Sequence, residues 1–187
     1  NMDASMESKN DFSKIQGRFK TRLSLTSVNA DEVIRERILK KNEVGESTLK
    51  SLYDSDETRI QNAVVFKGNG YEMRKLHSAD EFAAVYPFLP YQFHLLADVL
   101  NSIRLNSASG KHLSEGERSM LGAFQEAAKK VENEEEGVLI PFYSFYDNLL
   151  KFLDHTHASV IQRAEDSDRI NPLHEEDCFA VNVLKTL

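Results

Sequence analysis

Four basic side chains are concentrated near the start of the sequence, at Lys14, Arg18, Lys20 and Arg22. Residues 18–26 alternate between apolar and polar positions, which predicts a short β-strand with most of these cations on one face. Clustered cations can bind the phosphate groups of a nucleotide or of DNA. Charged side chains on an edge strand also discourage unwanted strand pairing. The spacing alone favours neither interpretation.

A second candidate for phosphate chemistry is the dipeptide Gly110-Lys111. The Walker A loop has the pattern G-x-x-x-x-G-K-[ST], in which backbone N–H groups surround the phosphates and the hydroxyl binds Mg²⁺. Here Leu105 stands at the first glycine position, and His112 stands where the hydroxyl is needed. We therefore do not expect this segment to bind phosphate.

The six histidines and the single cysteine do not form a recognisable metal site. His155 and His157 are two residues apart, which directs them to different faces of a helix, and no pair has zinc-finger spacing. Cys178 alone cannot form an internal disulfide. We expect structural or solvent-exposed histidines, a reduced cysteine and no bound metal.

The composition is typical of a soluble globular protein, with 41% hydrophobic and 28% charged residues. No apolar run approaches the ~20 residues that a membrane-spanning helix needs. The formal net charge is −7, which argues against a chain that coats nucleic acid over its whole surface. A cytoplasmic protein without a membrane partner is expected.

The elements that must position these residues are mainly helical. Asn29 and Asp31 are predicted to cap a helix that ends at Lys40 and Lys41, where cations complement the helix dipole. A second helix is predicted to begin at Gly45 and to end between residues 54 and 59. The glycines of the Gly68-Asn69-Gly70 turn then separate two segments, Ile60–Phe66 and Tyr71–Leu76, in a pattern typical of a β-hairpin.

Capping signals mark the later helices. Ser78 with Glu81, and Ser114 with Glu117, have capping-box spacing. Pro90 suits the first position of a helix, and apolar residues at helical spacing predict that three of the following helices pack in a core. These residues are Phe93, Leu96, Ala97, Leu100 and Ile103; Met120, Leu121, Phe124, Ala127, Ala128 and Val131; and Phe142, Phe145, Tyr146, Leu149, Leu150 and Leu153. The predicted fold class is mainly α, a multi-helix domain with one short N-terminal strand and a candidate β-hairpin.

Several segments together resemble one protein family. Gly17–Phe19, Thr21–Leu25 and Val28–Ile34 are similar to the join between the last core strand and the lid of an AAA+-like ATPase. Pro-Tyr-Gln-Phe at 90–93 and Gly-Lys-His-Leu-Ser-Glu-Gly-Glu-Arg at 110–118 are more distinctive. With these blocks, the sequence from about residue 12 to its end resembles the large P-loop ATPase of BREX phage-defence systems, the BrxC/PglY family.

The resemblance implies that a longer parent protein binds or hydrolyses ATP with Mg²⁺ and takes part in distinguishing self from phage DNA. By analogy with AAA+ lids, Arg18 occupies an arginine-finger-like position and Arg118 a sensor-2-like position. Each would stabilise charge on the γ-phosphate of an ATP held elsewhere. The sequence has no Walker A loop of its own, so no nucleotide is expected to bind this chain alone. A simple surface ion pair stays open for Arg118.

The same resemblance divides the chain into three parts. Residues 1–11 are expected to be a disordered tail or tag, 12–135 an AAA+-lid-like helical domain, and 136–187 a helical extension truncated at its C-terminus. Three functions stay open: a lid and helical region that couples nucleotide state to conformational change or assembly, an interaction module, or a DNA-contacting domain that uses Lys14, Arg18, Lys20 and Arg22. The expected partners are the rest of the parent ATPase, other BREX proteins or neighbouring protomers, and DNA in the parent.

Overall fold

The computed structural model describes residues 27–62, 76–106 and 116–187. Within these stretches, only the backbone is described for residues 27–29 and 116–118. All regular elements in these stretches are helical. The α-helices are α1 (Ser27–Val33), α2 (Glu43–Asn62), α3 (Ala79–Val85), α4 (Pro90–Asn106), α5 (Gly116–Lys129), α6 (Tyr146–Leu150), α7 (His155–Glu165) and α8 (Phe179–Thr186). A π-helix, Ile34–Ile38, continues α1, and a 3₁₀-helix, Phe142–Phe145, precedes α6. The predicted mainly α class is confirmed.

Two boundary predictions near the start were wrong. Helix α1 begins at Ser27, so Asn29 and Asp31 lie within it rather than at its cap. Helix α2 continues to Asn62, so the predicted hairpin does not begin at Ile60. Ile60 is buried on the same helix face as Tyr53, and this packing favours the longer helix. The rest of that hairpin, residues 63–75, and the predicted strand at 18–26 lie outside the described residues.

The capping signals around α3 and α4 are confirmed. The Ser78 hydroxyl accepts a hydrogen bond from the backbone N–H of Glu81 at 3.1 Å. The Glu81 carboxylate accepts one from the backbone N–H of His77 at 2.9 Å, one residue earlier than in the standard capping box. Pro90 is the first residue of α4. These caps fix the entry of the chain into two helices that carry core residues.

Four phenylalanine rings form the centre of the principal core. Phe124 on α5 lies 4.7 Å from Phe88, 4.4 Å from Phe93 and 5.1 Å from Phe145, measured between ring centroids. All four side chains are almost completely buried. Because Phe145 belongs to the segment after residue 136, the core packing continues across the domain boundary predicted between residues 135 and 136.

A buried glutamine joins the turn before α4 to a distant segment. The side-chain oxygen Oε1 of Gln92 accepts a hydrogen bond from the Leu89 backbone N–H at 2.8 Å, and its side-chain nitrogen Nε2 donates one to the Ile140 carbonyl at 2.7 Å. The Ile140 N–H in turn donates to the Pro87 carbonyl at 2.9 Å. Since buried backbone groups need partners, this exchange holds the two segments together in the core.

A smaller core lies at the C-terminal end of the chain. It contains Tyr146 of α6, Ile161 and Ala164 of α7, and Val181 of α8. Apolar contacts therefore hold the last three helices together as a C-terminal unit. In the described stretches, no helix is both long and apolar enough to cross a membrane.

Candidate functional site

Most of the residues that the sequence singled out for phosphate chemistry lie outside the part of the chain that the structure describes. Lys14, Arg18, Lys20 and Arg22 lie outside the described residues. Arg118 lies in the first turn of α5, and only its position on the helix is described. The arginine-finger-like and sensor-2-like roles therefore stay predictions. A different surface, in the C-terminal unit, has the features of a binding site.

A cleft of about 720 Å³ is lined by residues of α7, the loop 166–178 and α8, together with Lys130, Tyr143 and Asp147. Every residue that lines it has a polar or charged side chain. The carboxylates are Asp147, Glu165, Asp166, Glu175, Glu176 and Asp177, and the other charged or titratable groups are Lys130, Lys185, His174 and Tyr143. We call this surface the acidic cleft.

Both lysines of the acidic cleft are already paired with carboxylates of the same cleft. Lys130 Nζ lies 2.7 Å from Asp147 Oδ2, and Lys185 Nζ lies 2.8 Å from Glu165 Oε1. The pairs neutralise two of the six carboxylates, which leaves four without a lysine of the cleft beside them. The cleft therefore has excess negative charge and suits a cationic ligand.

A buried asparagine holds the loop that carries most of these carboxylates. Asn171 is 4% exposed. Its amide nitrogen donates to the carbonyl oxygens of Glu165, at 3.3 Å, and Glu175, at 3.0 Å, while its oxygen accepts from the Glu175 N–H at 3.0 Å. His174 in this loop has a φ of 50°, a left-handed conformation that few non-glycine residues adopt. The loop thus has a defined conformation that keeps the carboxylates along the cleft.

Tyr143 and Asn182 orient the carboxylate at the end of that loop. Asp177 Oδ1 accepts a hydrogen bond from the Asn182 amide at 2.7 Å and one from the Tyr143 hydroxyl at 3.2 Å. Burial, followed by the nearby charge of Asp177 and its hydrogen bond, raises the pKa of Tyr143. The phenol consequently stays protonated at neutral pH and serves as a hydrogen-bond donor rather than as a base.

Helix α8 places an apolar row beside the acidic cleft. Phe179, Val183 and Leu187 follow one another at four-residue spacing, and their exposed fractions are 82%, 41% and 96%. Val181 and Asn182 lie on the buried face of the same helix. We call the exposed row the apolar ridge. A smaller pocket of about 220 Å³ contains Phe179 and Val183 and shares Tyr143, Asp177 and Asn182 with the acidic cleft, so the two surfaces are continuous.

Lys41 has an unusual environment elsewhere in the fold. Its ammonium donates a hydrogen bond to the Tyr86 carbonyl at 2.6 Å, and burial lowers its pKa to about 8. Tyr86 is the C-terminal cap of α3, so Lys41 complements the dipole of a different helix from the one that the sequence predicted. The contact joins two loops, and we assign it a structural role.

Sequence reasoning missed the acidic cleft. The available signal was the density of acidic residues between 165 and 177, including the run Glu175-Glu176-Asp177. That signal by itself is typical of a solvated loop. Only the contact of the loop with α7 and α8 turns it into one wall of a cleft. The described residues contain no group of three or more His, Cys, Asp or Glu side chains placed to hold a metal ion.

Comparisons with known proteins do not assign the chain to a family. No protein-family model matches it, and no solved structure matches it significantly.

Proposed function

We propose that this chain is a non-autonomous helical part of a large P-loop ATPase of the BREX type, in which it serves as a protein-interaction module. The observation that carries this proposal is the apolar ridge, in which Phe179 and Val183 are 82% and 41% exposed beside the acidic cleft. The wider assignment to a BREX-type ATPase rests on the sequence resemblance alone.

The arrangement of the ridge supports an interaction surface. Single exposed apolar residues are ordinary on proteins, but contiguous exposed apolar patches mark interaction sites. Phe179 and Val183 lie on the exposed face of α8, in line with Leu187 at its C-terminal cap, and the opposite face of the helix is packed. A row of this kind can pack into a groove, or beside the apolar face of a second helix.

The same packing supports a link between the ridge and the rest of the chain. Phe124 on α5 packs against Phe145, which directly precedes Tyr146 on α6. The Lys185 ammonium on α8 then lies 5.6 Å from the centre of the Tyr146 ring. These contacts form a continuous path between α5 and α8. We propose that this path couples the nucleotide state of the ATPase to the binding of partners at the ridge.

The test is co-elution of this chain with the BREX proteins encoded beside it, on size-exclusion chromatography. Val183→Gln should abolish co-elution, because it places a polar amide in the ridge without adding charge. Val160→Gln is the matched control, because Val160 is 43% exposed and Val183 is 41% exposed, and Val160 does not line the cleft. Equal co-elution of both variants, or no co-elution of the wild-type chain, would contradict the proposal.

A second candidate function is the nucleotide-sensing lid. It is favoured by the start of α5 at Gly116, which puts Arg118 in the first turn of a long helix. In the full-length ATPase, Arg118→Ala should then reduce ATP turnover while ATP binding and folding stay intact, with Arg18→Ala measured beside it. Unchanged turnover in Arg118→Ala would exclude the sensor-like role and leave the interaction module.

A further inference from the structure

We propose that the acidic cleft and the apolar ridge together bind a cationic amphipathic helix of a partner protein. This inference rests on the proposed interaction function and adds the chemistry of the partner. It is carried by the juxtaposition of two surfaces that share Tyr143, Asp177 and Asn182 but differ in character. One surface presents apolar side chains and the other presents carboxylates.

The charge of the cleft selects the class of partner. Glu175 and Glu176 are exposed, and neither side chain makes a salt bridge to another described residue. The two lysines of the cleft are occupied by Asp147 and Glu165. An incoming anion would therefore meet excess like charge, which disfavours DNA and an anionic membrane at this face. Lysine or arginine side chains would instead find carboxylates that have no lysine of the cleft beside them.

The same charge disfavours a symmetric pair of this chain through the cleft. A two-fold contact centred on the cleft would bring the Glu175–Asp177 segment of one copy toward the same segment of the other. Like charges placed opposite each other across an interface destabilise it. A second copy is consequently the less favourable occupant, and sedimentation of the free chain tests it directly.

The dimensions fit a short helix. The ridge runs from Phe179, the first residue of α8, to Leu187, its C-terminal cap. Eight residues span about 12 Å at the rise of an α-helix. A partner helix with apolar residues at four- and three-residue spacing can cover this length with about two turns. Long basic side chains on its flank can then reach the neighbouring loop 166–178.

The test uses the full 187-residue chain and a fluorescent peptide. The probe is an amphipathic helix of about 14 residues, or about four turns, built from leucine and lysine; a peptide with glutamate in place of lysine is the comparison. We expect saturable binding of the lysine peptide and none of the glutamate peptide, measured by fluorescence anisotropy. Raising salt from about 50 mM to about 300 mM should weaken binding about tenfold, since it screens the exposed charges.

Matched variants separate the cleft from general charge attraction. Glu175→Gln with Glu176→Gln should raise the Kd about fivefold, as expected for losing two partly exposed charge pairs. The control, Asp54→Asn with Glu57→Gln on α2, removes the same number of exposed carboxylates outside the lining of the cleft and should leave the Kd unchanged. Val183→Gln should also weaken binding, whereas Val160→Gln should not.

The outcomes distinguish this inference from the proposed function. Three outcomes would overturn the cationic-helix inference. The lysine and glutamate peptides could bind equally well, or the α2 control could lose as much affinity as the Glu175 and Glu176 variant. The free chain could also form dimers that Val183→Gln dissociates. If natural partners co-elute in a Val183-dependent way while the lysine peptide does not bind, the interaction module stands and the inference fails. If no natural partner co-elutes but the peptide binds as described, the inference stands and the proposed BREX assembly fails.

Discussion

Replacing Gln92 with leucine is expected to lower the free energy of unfolding by about 3 kcal/mol. The Gln92 side chain is completely buried, and it bonds to the Leu89 N–H at 2.8 Å and to the Ile140 carbonyl at 2.7 Å. Leucine has a similar volume but can make neither bond. The substitution therefore tests the hydrogen bonds with little change in packing.

The magnitude follows from the two backbone groups that lose their partner. The N–H of Leu89 and the carbonyl of Ile140 both belong to buried residues. An unsatisfied buried group costs about 1–3 kcal/mol, so the two together cost about 4 kcal/mol. Burying an apolar side chain in place of the amide recovers about 1 kcal/mol. The net loss is about 3 kcal/mol, a large part of the stability of a domain of this size.

Urea unfolding followed by far-UV circular dichroism measures this difference. Gln125→Leu is the matched control, because it makes the same chemical change at an exposed position of α5. The control should change the free energy of unfolding by less than about 0.5 kcal/mol. Equal stability of the two variants would refute the reasoning. It would mean that water or a shifted loop replaces the hydrogen bonds of Gln92 at no cost in stability.

Three further predictions concern other parts of the fold. Phe124→Ala should cost about 4 kcal/mol in urea unfolding because Phe124 is fully buried, whereas Phe179→Ala at an 82% exposed position should cost less than about 0.5 kcal/mol. Asn171→Ala should cost about 2 kcal/mol by the same assay and increase amide hydrogen exchange in the loop 166–178, because the Glu165 and Glu175 backbone groups lose their partner. Burial depresses the Lys41 pKa from 10.5 to about 8, so the unfolded chain binds more protons between these values and stability should rise with pH there. Lys41→Met should therefore reduce the increase in the free energy of unfolding between about pH 8 and about pH 9.5 by about 1 kcal/mol, a value that allows for solvent screening of this half-buried group. Lys40→Met is the control and should leave that increase unchanged.

Local signals in the sequence were sufficient for the helical class and for several helix boundaries. Ser78 and Pro90 act within a single helical turn, so their effect depends on a few neighbouring residues. The apolar stripe that contains Phe93, Leu96 and Leu100 was also predictable, because helical periodicity is a property of the sequence itself. The stripe could be read without knowing what packs against it.

Boundaries that depend on distant packing were not predictable in the same way. The residues that follow Ile60 in the sequence predict that it begins a strand. Instead, Ile60 is buried with Leu49, Tyr53 and Phe82 and belongs to the last turn of α2. The sequence likewise predicts that Lys41 complements the dipole at the end of its own helix. Its carbonyl partner is Tyr86, 45 residues away, and no local pattern connects the two.

The sequence by itself determined that this chain folds mainly as helices. It also determined the acidic net charge and the run of acidic residues at 175–177. Only the tertiary structure decided that this run lines a cleft and that the apolar ridge lies beside it. The physical reason is that a binding surface is made by contacts between residues far apart in sequence. Lys130 with Asp147 and Tyr143 with Asp177 are such contacts, and they form only when the helices pack.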